Sequence, residues 1–234
     1  MRIITWNCNM AFRKKADSIL ELSPDILIIQ ECENLEKLKF DTKPTSSFWY
    51  GENPNKGVGV FSFSEYQFEV LDNHNLNFKN VIPLRVFREN EEFILFAIWA
   101  NNPKDKDGQY VTQVWKAIHF YEELINEQST LLIGDFNSNT IWDKPKRIGN
   151  HSDVVSKLKL KGIKSVYHVF NKQEHGKEIN STLFMYRHEN KPYHIDYCFA
   201  SSDFIRKLKT VEIGLHSKWC SLSDHVPVII DFDL

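Results

Sequence analysis

Apolar positions along the chain follow two periods, and where the period changes the elements change with it. Residues 3–7 read as a strand, after which Phe12, Ala16, Ile19 and Leu20 recur at helical spacing until Ser23-Pro24 stops the helix. Residues 25–31 form a continuous apolar run, expected of a strand buried on both faces, and end in a carboxylate, Glu31. β-Branched and aromatic residues predict further strands over 57–63, 68–71, 82–87 and 93–99. Helical spacing returns at Val114, Ile118, Tyr121 and Ile125, followed by a strand over 130–133 and a short helix over 152–161 with Gly162 just past its end. Five more strands are expected over 165–170, 182–186, 195–200, 209–213 and 226–232. About a dozen strands with a few helices between them predict an α/β fold, a four-layer α/β/β/α sandwich of two sheets flanked by helices. No repeat or linker divides the sequence, so residues 1–234 are expected to form a single domain.

Composition narrows the function. With 29 Lys and Arg against 31 Asp and Glu, the net charge is −2, which argues against holding nucleic acid by bulk charge and leaves room for a local basic patch. A charged residue at position 2 with no apolar segment after it is unlike a signal peptide, and no run is long enough to span a bilayer. Cys8, Cys32, Cys198 and Cys220 are too scattered for a disulfide framework or a CxxC metal site. They read as reduced, core-packed thiols of a cytoplasmic protein with no membrane attachment and no indicated obligate protein partner.

Several apolar strands end in the same polar punctuation: Trp6-Asn7, Gln30-Glu31, Gly134-Asp135-Phe136-Asn137, His194-Ile195-Asp196 and Ser223-Asp224-His225. Such residues could gather at one rim of a sheet. The two-residue spacing of Asp135 and Asn137 projects both from one strand face, and Gly134 permits a close backbone approach. Carboxylate and amide oxygens are hard ligands suited to Mg²⁺ or Mn²⁺, whereas the absence of a Cys or multi-His motif counts against zinc. His225, beside Asp224 and with Asp196 elsewhere, has what an oriented imidazole needs. Singly, each motif is an ordinary turn; five in order are harder to dismiss.

This ordered set resembles the endonuclease/exonuclease/phosphatase superfamily of Mg²⁺-dependent phosphoesterases, which includes abasic-site endonucleases, deoxyribonucleases, inositol-polyphosphate phosphatases and sphingomyelinases. The resemblance implies the same four-layer fold. It also implies Asn7 and Glu31 at the metal, Asp224 near the metal or leaving group, Asp135 activating water, Asn137 holding the phosphate, and His225 on the phosphate, oriented by Asp196. One departure is Trp99, where many relatives have Tyr or His touching the phosphate. An indole donates one hydrogen bond and supplies no acid, so Trp99 either stacks on a base or packs, with packing preferred and Asn102 a replacement polar contact.

The segment after Asn137 runs Ser138-Asn139-Thr140-Ile141-Trp142-Asp143-Lys144-Pro145-Lys146-Arg147, an aromatic followed by three cations. Trp142, Lys144 and Arg147 thus suit a nucleic-acid backbone and one stacked base, against the alternative of a solvated loop with Trp142 tucked in. Lys56 is a similar candidate. His151, His168 and His194 read as lone surface or core histidines. The expected activity is a nuclease acting on DNA or RNA. A phosphatase acting on a small or lipid-linked phosphate is the alternative, and a non-catalytic metal-binding scaffold a distant third.

Overall fold

Alternate residues of β1 (Arg2–Asn7) and β2 (Ile26–Cys32) serve different cores: Ile3, Ile26 and Ile28 join one apolar cluster, and Ile4, Trp6, Leu27 and Ile29 another. A strand with a core on each side has to be apolar throughout, which explains the unbroken run at 25–31. The structure is a computed structural model that describes residues 1–101 and 109–234.

The first six-stranded sheet sets β1 and β2 in parallel at its centre. β4 (Lys56–Ser62) and β3 (Ser46–Asn53) lie on one side, and β14 (Val228–Phe232) and β13 (Leu208–Ile213) on the other. The second sheet has the order β5 (Gln67–Val70), β6 (Val81–Arg88), β7 (Glu91–Trp99), β8 (Thr130–Asp135), β12 (Asp196–Ala200), β9 (Lys164–Ser165), with β7 and β8 parallel. Residues from both sheets, among them Ile28, Val60, Leu95, Ile133 and Ile230, form the cluster between them. On the outer face of the first sheet, α1 (Ala16–Leu20) and α7 (His216–Trp219) contribute Ile19 and Trp219 to a second cluster. On that of the second, α2 (Val111–Phe120), α3 (Glu122–Glu127) and α4 (His151–Leu160) contribute Val114, Ile125 and Leu158 to a third. Three cores separate four layers, as expected.

Several local expectations are corrected. Residues 165–170 are not a strand. Only Ser165 pairs with β12, and α5 (Val166–Asn171) follows, because a short aromatic and β-branched run does not by itself distinguish a buried helix from a strand. The strand expected over 182–186 shrinks to β10 (Leu183–Phe184), paired with β11 (Pro192–Tyr193). β3 has no counterpart among the expected strands: it is an edge strand, half exposed, that pairs with β4 alone and so needs no apolar alternation. The helical period over 114–125 breaks at Tyr121 into α2 and α3, and that over 12–20 opens with a 3-10 turn. α4 matches its expectation, with Asn150 and Asp153 forming a capping box and Gly162 at φ +75° beyond its end. After α6 (Ser202–Arg206) the chain returns to β13. All four cysteines are buried and unpaired. No helix among the described residues is long and apolar enough to cross a membrane.

Candidate active site

The parallel pairs β1/β2 and β7/β8 bring their carboxyl ends to one rim, and antiparallel pairing sets Asp196 at the start of β12 opposite Asp135 at the end of β8. Asn7 joins the two sheets there: its Nδ2 donates to Asp135 Oδ2 at 3.0 Å. Asn137 donates its side-chain Nδ2 to the same oxygen at 2.9 Å and its backbone N–H to Oδ1 at 2.8 Å. Asn137 lies beyond the strand in the left-handed region (φ +47°), a conformation asparagine tolerates. Its alliance with Asp135 thus comes from these local hydrogen bonds and not from a shared strand face. The close approach at Gly134 (φ +142°) is to the neighbouring strand, since a Cβ would run into the Ile98 carbonyl.

Asp196 Oδ2 bonds His225 Nδ1 at 2.9 Å, with the residues 1% and 6% exposed. One side-chain polar atom from each of Asp135, Asp196 and His225 lies within 4.8 Å of the others, so the imidazole sits between two carboxylates. Burial and the nearby Asp196 carboxylate push Asp135 well above the ordinary carboxylate range, against the pull of His225 and the Asn7 amide. Burial works to lower His225, but the charge and hydrogen bond of Asp196, with Asp135 and Asp224 behind it, push the imidazole up. At neutral pH the ring is therefore an imidazolium enclosed by acids.

Glu31 reaches the rim through a backbone irregularity. The β2–β4 register shifts between Gln30 and Cys32, and Glu31 sits at φ +59°, so its side chain leaves the pleat and meets Lys56 Nζ at 3.1 Å. Asn9, Met10 and Ala11 also have positive φ. The buried Glu33 carboxylate holds that turn by accepting from Phe12 N, Arg13 N and Arg13 Nη1. Asn9 Nδ2 in turn donates to Asp224 Oδ1 at 2.9 Å. Strained backbone of this kind persists where surrounding contacts over-determine it.

Three supporting residues do not stand out in the sequence. Thr182 Oγ1 accepts from both Ile195 N and Asp196 N at 3.0 Å, fixing the start of β12. Ser223 Oγ donates to the Asn7 carbonyl at 2.7 Å and accepts from His225 N at 3.1 Å. Trp6 Nε1 donates to the His225 carbonyl at 2.9 Å. Ser223 and Trp6 carry a signal only through their places in the Ser223-Asp224-His225 and Trp6-Asn7 motifs; Thr182 looks like an ordinary strand or loop residue.

The remaining candidates divide. Trp99 is 6% exposed and packs in the central core, with Lys56 Nζ 5.1 Å from its ring centroid. Asn102 lies outside the described residues. Trp142 is 38% exposed and rests against Tyr193, ring centroids 5.0 Å apart. Lys144 and Lys146 are exposed, whereas Arg147 turns back to donate from Nε to Asn150 Oδ1 at 2.7 Å. His151, His168 and His194 do not join Asp135 and His225; they gather with His175 in a separate cluster.

The "Endonuclease/Exonuclease/phosphatase family" model matches residues 4–225. The chain belongs to that family. Similar solved structures include a 3′-5′ exonuclease (NExo) from Neisseria meningitidis (20% identity, TM-score 0.72) and a 3′ phosphatase NExo from Neisseria bound to product DNA hairpin (19%, 0.71). An AP endonuclease from Archaeoglobus fulgidus is also similar (18%, 0.69). In all three, the match covers 100% of this chain and 100% of the other. Among curated proteins, none matches the chain by sequence.

Proposed function

We propose that the chain, as a single catalytic domain, is a divalent-metal-dependent phosphodiester hydrolase, a nuclease acting on DNA or RNA. The observation that carries this reading is the buried Asp135–Asp196–His225 group with Asn7 and Asn137 hydrogen-bonded to Asp135. The residues that would hold the ion, Glu31, Asn7 and Asp224, offer carboxylate and amide oxygens alone, a donor set that fits a hard cation. Glu31, with Asn7 and Asp224, would hold Mg²⁺ or Mn²⁺, whose chemistry is neutralisation of the phosphate oxygens and acidification of water.

The side chains divide the remaining work. Asp135, with its raised pKa, takes a proton from the attacking water more readily than an ordinary carboxylate would. Asp196 occupies His225 Nδ1, so Nε2 is the nitrogen left to donate to a phosphate oxygen, and the imidazolium charge favours the more anionic transition state. Asn137 Nδ2 is available to exchange its Asp135 contact for the phosphate. The exposed Lys144 and Lys146, with Trp142 on Tyr193, suit a polynucleotide strand. The DNA hairpin bound to the NExo 3′ phosphatase supports DNA as the substrate class. It also favours a second reading, removal of a phosphate from a DNA 3′ end. Buried free thiols suit a reducing, cytoplasmic setting.

A panel of single-stranded DNA, duplex DNA, abasic duplex, 3′-phosphorylated DNA, RNA and an inositol phosphate, each with Mg²⁺ or EDTA, tests both readings. Cleavage of a polynucleotide in Mg²⁺ alone is expected. Turnover of only the inositol phosphate would remove the nuclease assignment, and full activity in EDTA would remove the metal.

A further inference from the structure

Four histidines widely separated in sequence, His151, His168, His175 and His194, come together around one carboxylate, Glu178, on the side of β12 away from the imidazolium site. The His168 and His175 rings stack with centroids 3.5 Å apart, His168 Nε2 lies 3.0 Å from Glu178 Oε1, and His151 Nε2 lies 3.2 Å from His175 Nδ1. One ring nitrogen each of His168 and His175 and one Glu178 oxygen fall within 4.8 Å of one another, and since imidazole lone pairs lie in the ring plane, an ion shared by both rings turns one of them out of the stack. We propose that His168, His175 and Glu178 form a second metal site, chemically suited to Zn²⁺, that closes the 168–178 segment on itself beside the strand ends carrying the candidate active site.

The donor chemistry differs from that of the first site. Two imidazoles and one carboxylate are borderline ligands that favour zinc over magnesium, and three protein donors leave a fourth position for water. Of the two ligating histidines, His168 has its outer nitrogen held by an oxygen atom, as ligating histidines commonly do, and His175 Nδ1 lies against His151 Nε2; the neighbouring histidines are oriented in the same way. Ser165 Oγ lies 2.7 Å from His168 Nδ1 and Ser138 Oγ 2.9 Å from His151 Nδ1, and His194 Nδ1 donates to the Asn180 carbonyl at 2.7 Å. A neutral His168 that gives up the Nε2 proton only has to carry it on Nδ1 instead, where Ser165 Oγ accepts it.

Two further observations point to an occupant. With Nδ1 committed to a carbonyl, His194 Nε2 keeps its lone pair; it is buried at a residue 4% exposed and has no partner among the described residues. The His194 ring lies 6.0 Å from that of His168, which puts this unpartnered acceptor beside the site. In addition, a cavity of about 230 Å³ lined by Val155, Lys159, Val169 and Phe199 opens on His168 and His175, giving an ion a route in. Burial and the neighbouring His168 push His175 down to about 3, and burial pushes His194 down to about 4. Glu178 resists its own burial through hydrogen bonds from His168 and the Gly176 N–H and sits at about 2, ionised.

The position gives the ion a role. Asn139 Nδ2 donates to both Glu178 oxygens at 3.2 Å and to the His194 carbonyl at 2.9 Å. Asn139 follows Asn137 by two residues and His194 precedes Asp196 by two, so the carboxylate that would hold the ion is tied through Asn139 to both of these stretches of the first site.

The test is zinc binding, not hydrolysis, so it can fail while the phosphodiesterase reading stands, and the reverse. The full chain is stripped with EDTA, exchanged into excess Mg²⁺ and titrated with Zn²⁺ by calorimetry, with Co²⁺ absorption reporting the coordination. One tight zinc equivalent is expected in the parent and in Glu31→Gln, together with a rise in melting temperature. His175→Phe, which keeps the ring stack, and Glu178→Gln are expected to lose that equivalent while retaining their circular dichroism. In the parent, one equivalent of Zn²⁺ is also expected to shift the ring resonances of His168 and His175, a readout that holds even if a variant fails to fold. Absence of a tight equivalent in the parent overturns the proposal. So does its survival in both His175→Phe and Glu178→Gln, its loss in Glu31→Gln, or unmoved His168 and His175 resonances.

Discussion

Replacing Asp196 by Asn removes one charge of a buried pair and keeps its shape. Asp196 and His225 are nearly inaccessible and joined at 2.9 Å, so the carboxylate is the main reason that His225 is pushed up to about 10 despite burial. Removing one partner of such a pair costs about 3–5 kcal/mol while the other remains charged. The pH dependence has a definite sign. A histidine whose folded pKa lies above its unfolded value of 6.5 contributes its full stability below 6.5 and loses it as pH rises toward about 10. Urea unfolding in EDTA, run on parent and variant from pH 5.5 to pH 9.5, should therefore show a gap of about 3–5 kcal/mol at the acid end that narrows steadily toward the alkaline end. Imidazole NMR provides the second measurement: His225 should stay protonated through neutral pH in the parent and deprotonate at lower pH in the variant, where Asp135 and Asp224 oppose burial without Asp196. A stability gap independent of pH, or a parent His225 that titrates near 6.5, would refute the reasoning.

Glu31→Gln should lower hydrolysis by orders of magnitude, with partial recovery at raised Mg²⁺ if ion binding is what was lost; initial rates over a Mg²⁺ series check this. Thr182→Val leaves the Ile195 and Asp196 amides without their acceptor, at about 1–3 kcal/mol each, and should lower kcat more than it raises KM. Gly134→Ala combines φ +142° with a Cβ driven into the Ile98 carbonyl and should destabilise by about 4 kcal/mol or more, read as a fall in urea midpoint. Neutralising Lys144 and Lys146 together should flatten the salt dependence of polynucleotide binding by roughly 0.7–0.9 in slope for each phosphate left without its cation, whereas Arg147→Gln should chiefly loosen the loop that Asn150 ties.

What the chain order alone determined is the material of each layer and the polar residue at the end of each central strand. The apolar run at 25–31 announces a strand with a core on both faces, Asn7, Asp135 and Asp196 each mark a strand boundary, and Glu31 lies one residue before the end of its strand. These are local properties, since pleat and helix periods are written over a few residues. The tertiary structure decided what local periods cannot encode. Helix or strand at 166–171 depended on the surface offered by β12 and β13, and β3 exists because β4 had an open edge. Glu31 faces the rim only because the β2–β4 register slips by one residue, and Asp196 is fixed by a hydroxyl from Thr182, fourteen positions earlier. The four histidines look solitary in the sequence because 17, 7 and 19 positions separate each from the next; only the pairing of β12 with β8 and β9 folds those intervals onto one carboxylate. Ligand convergence is a property of long-range register, and no spacing along the chain records it.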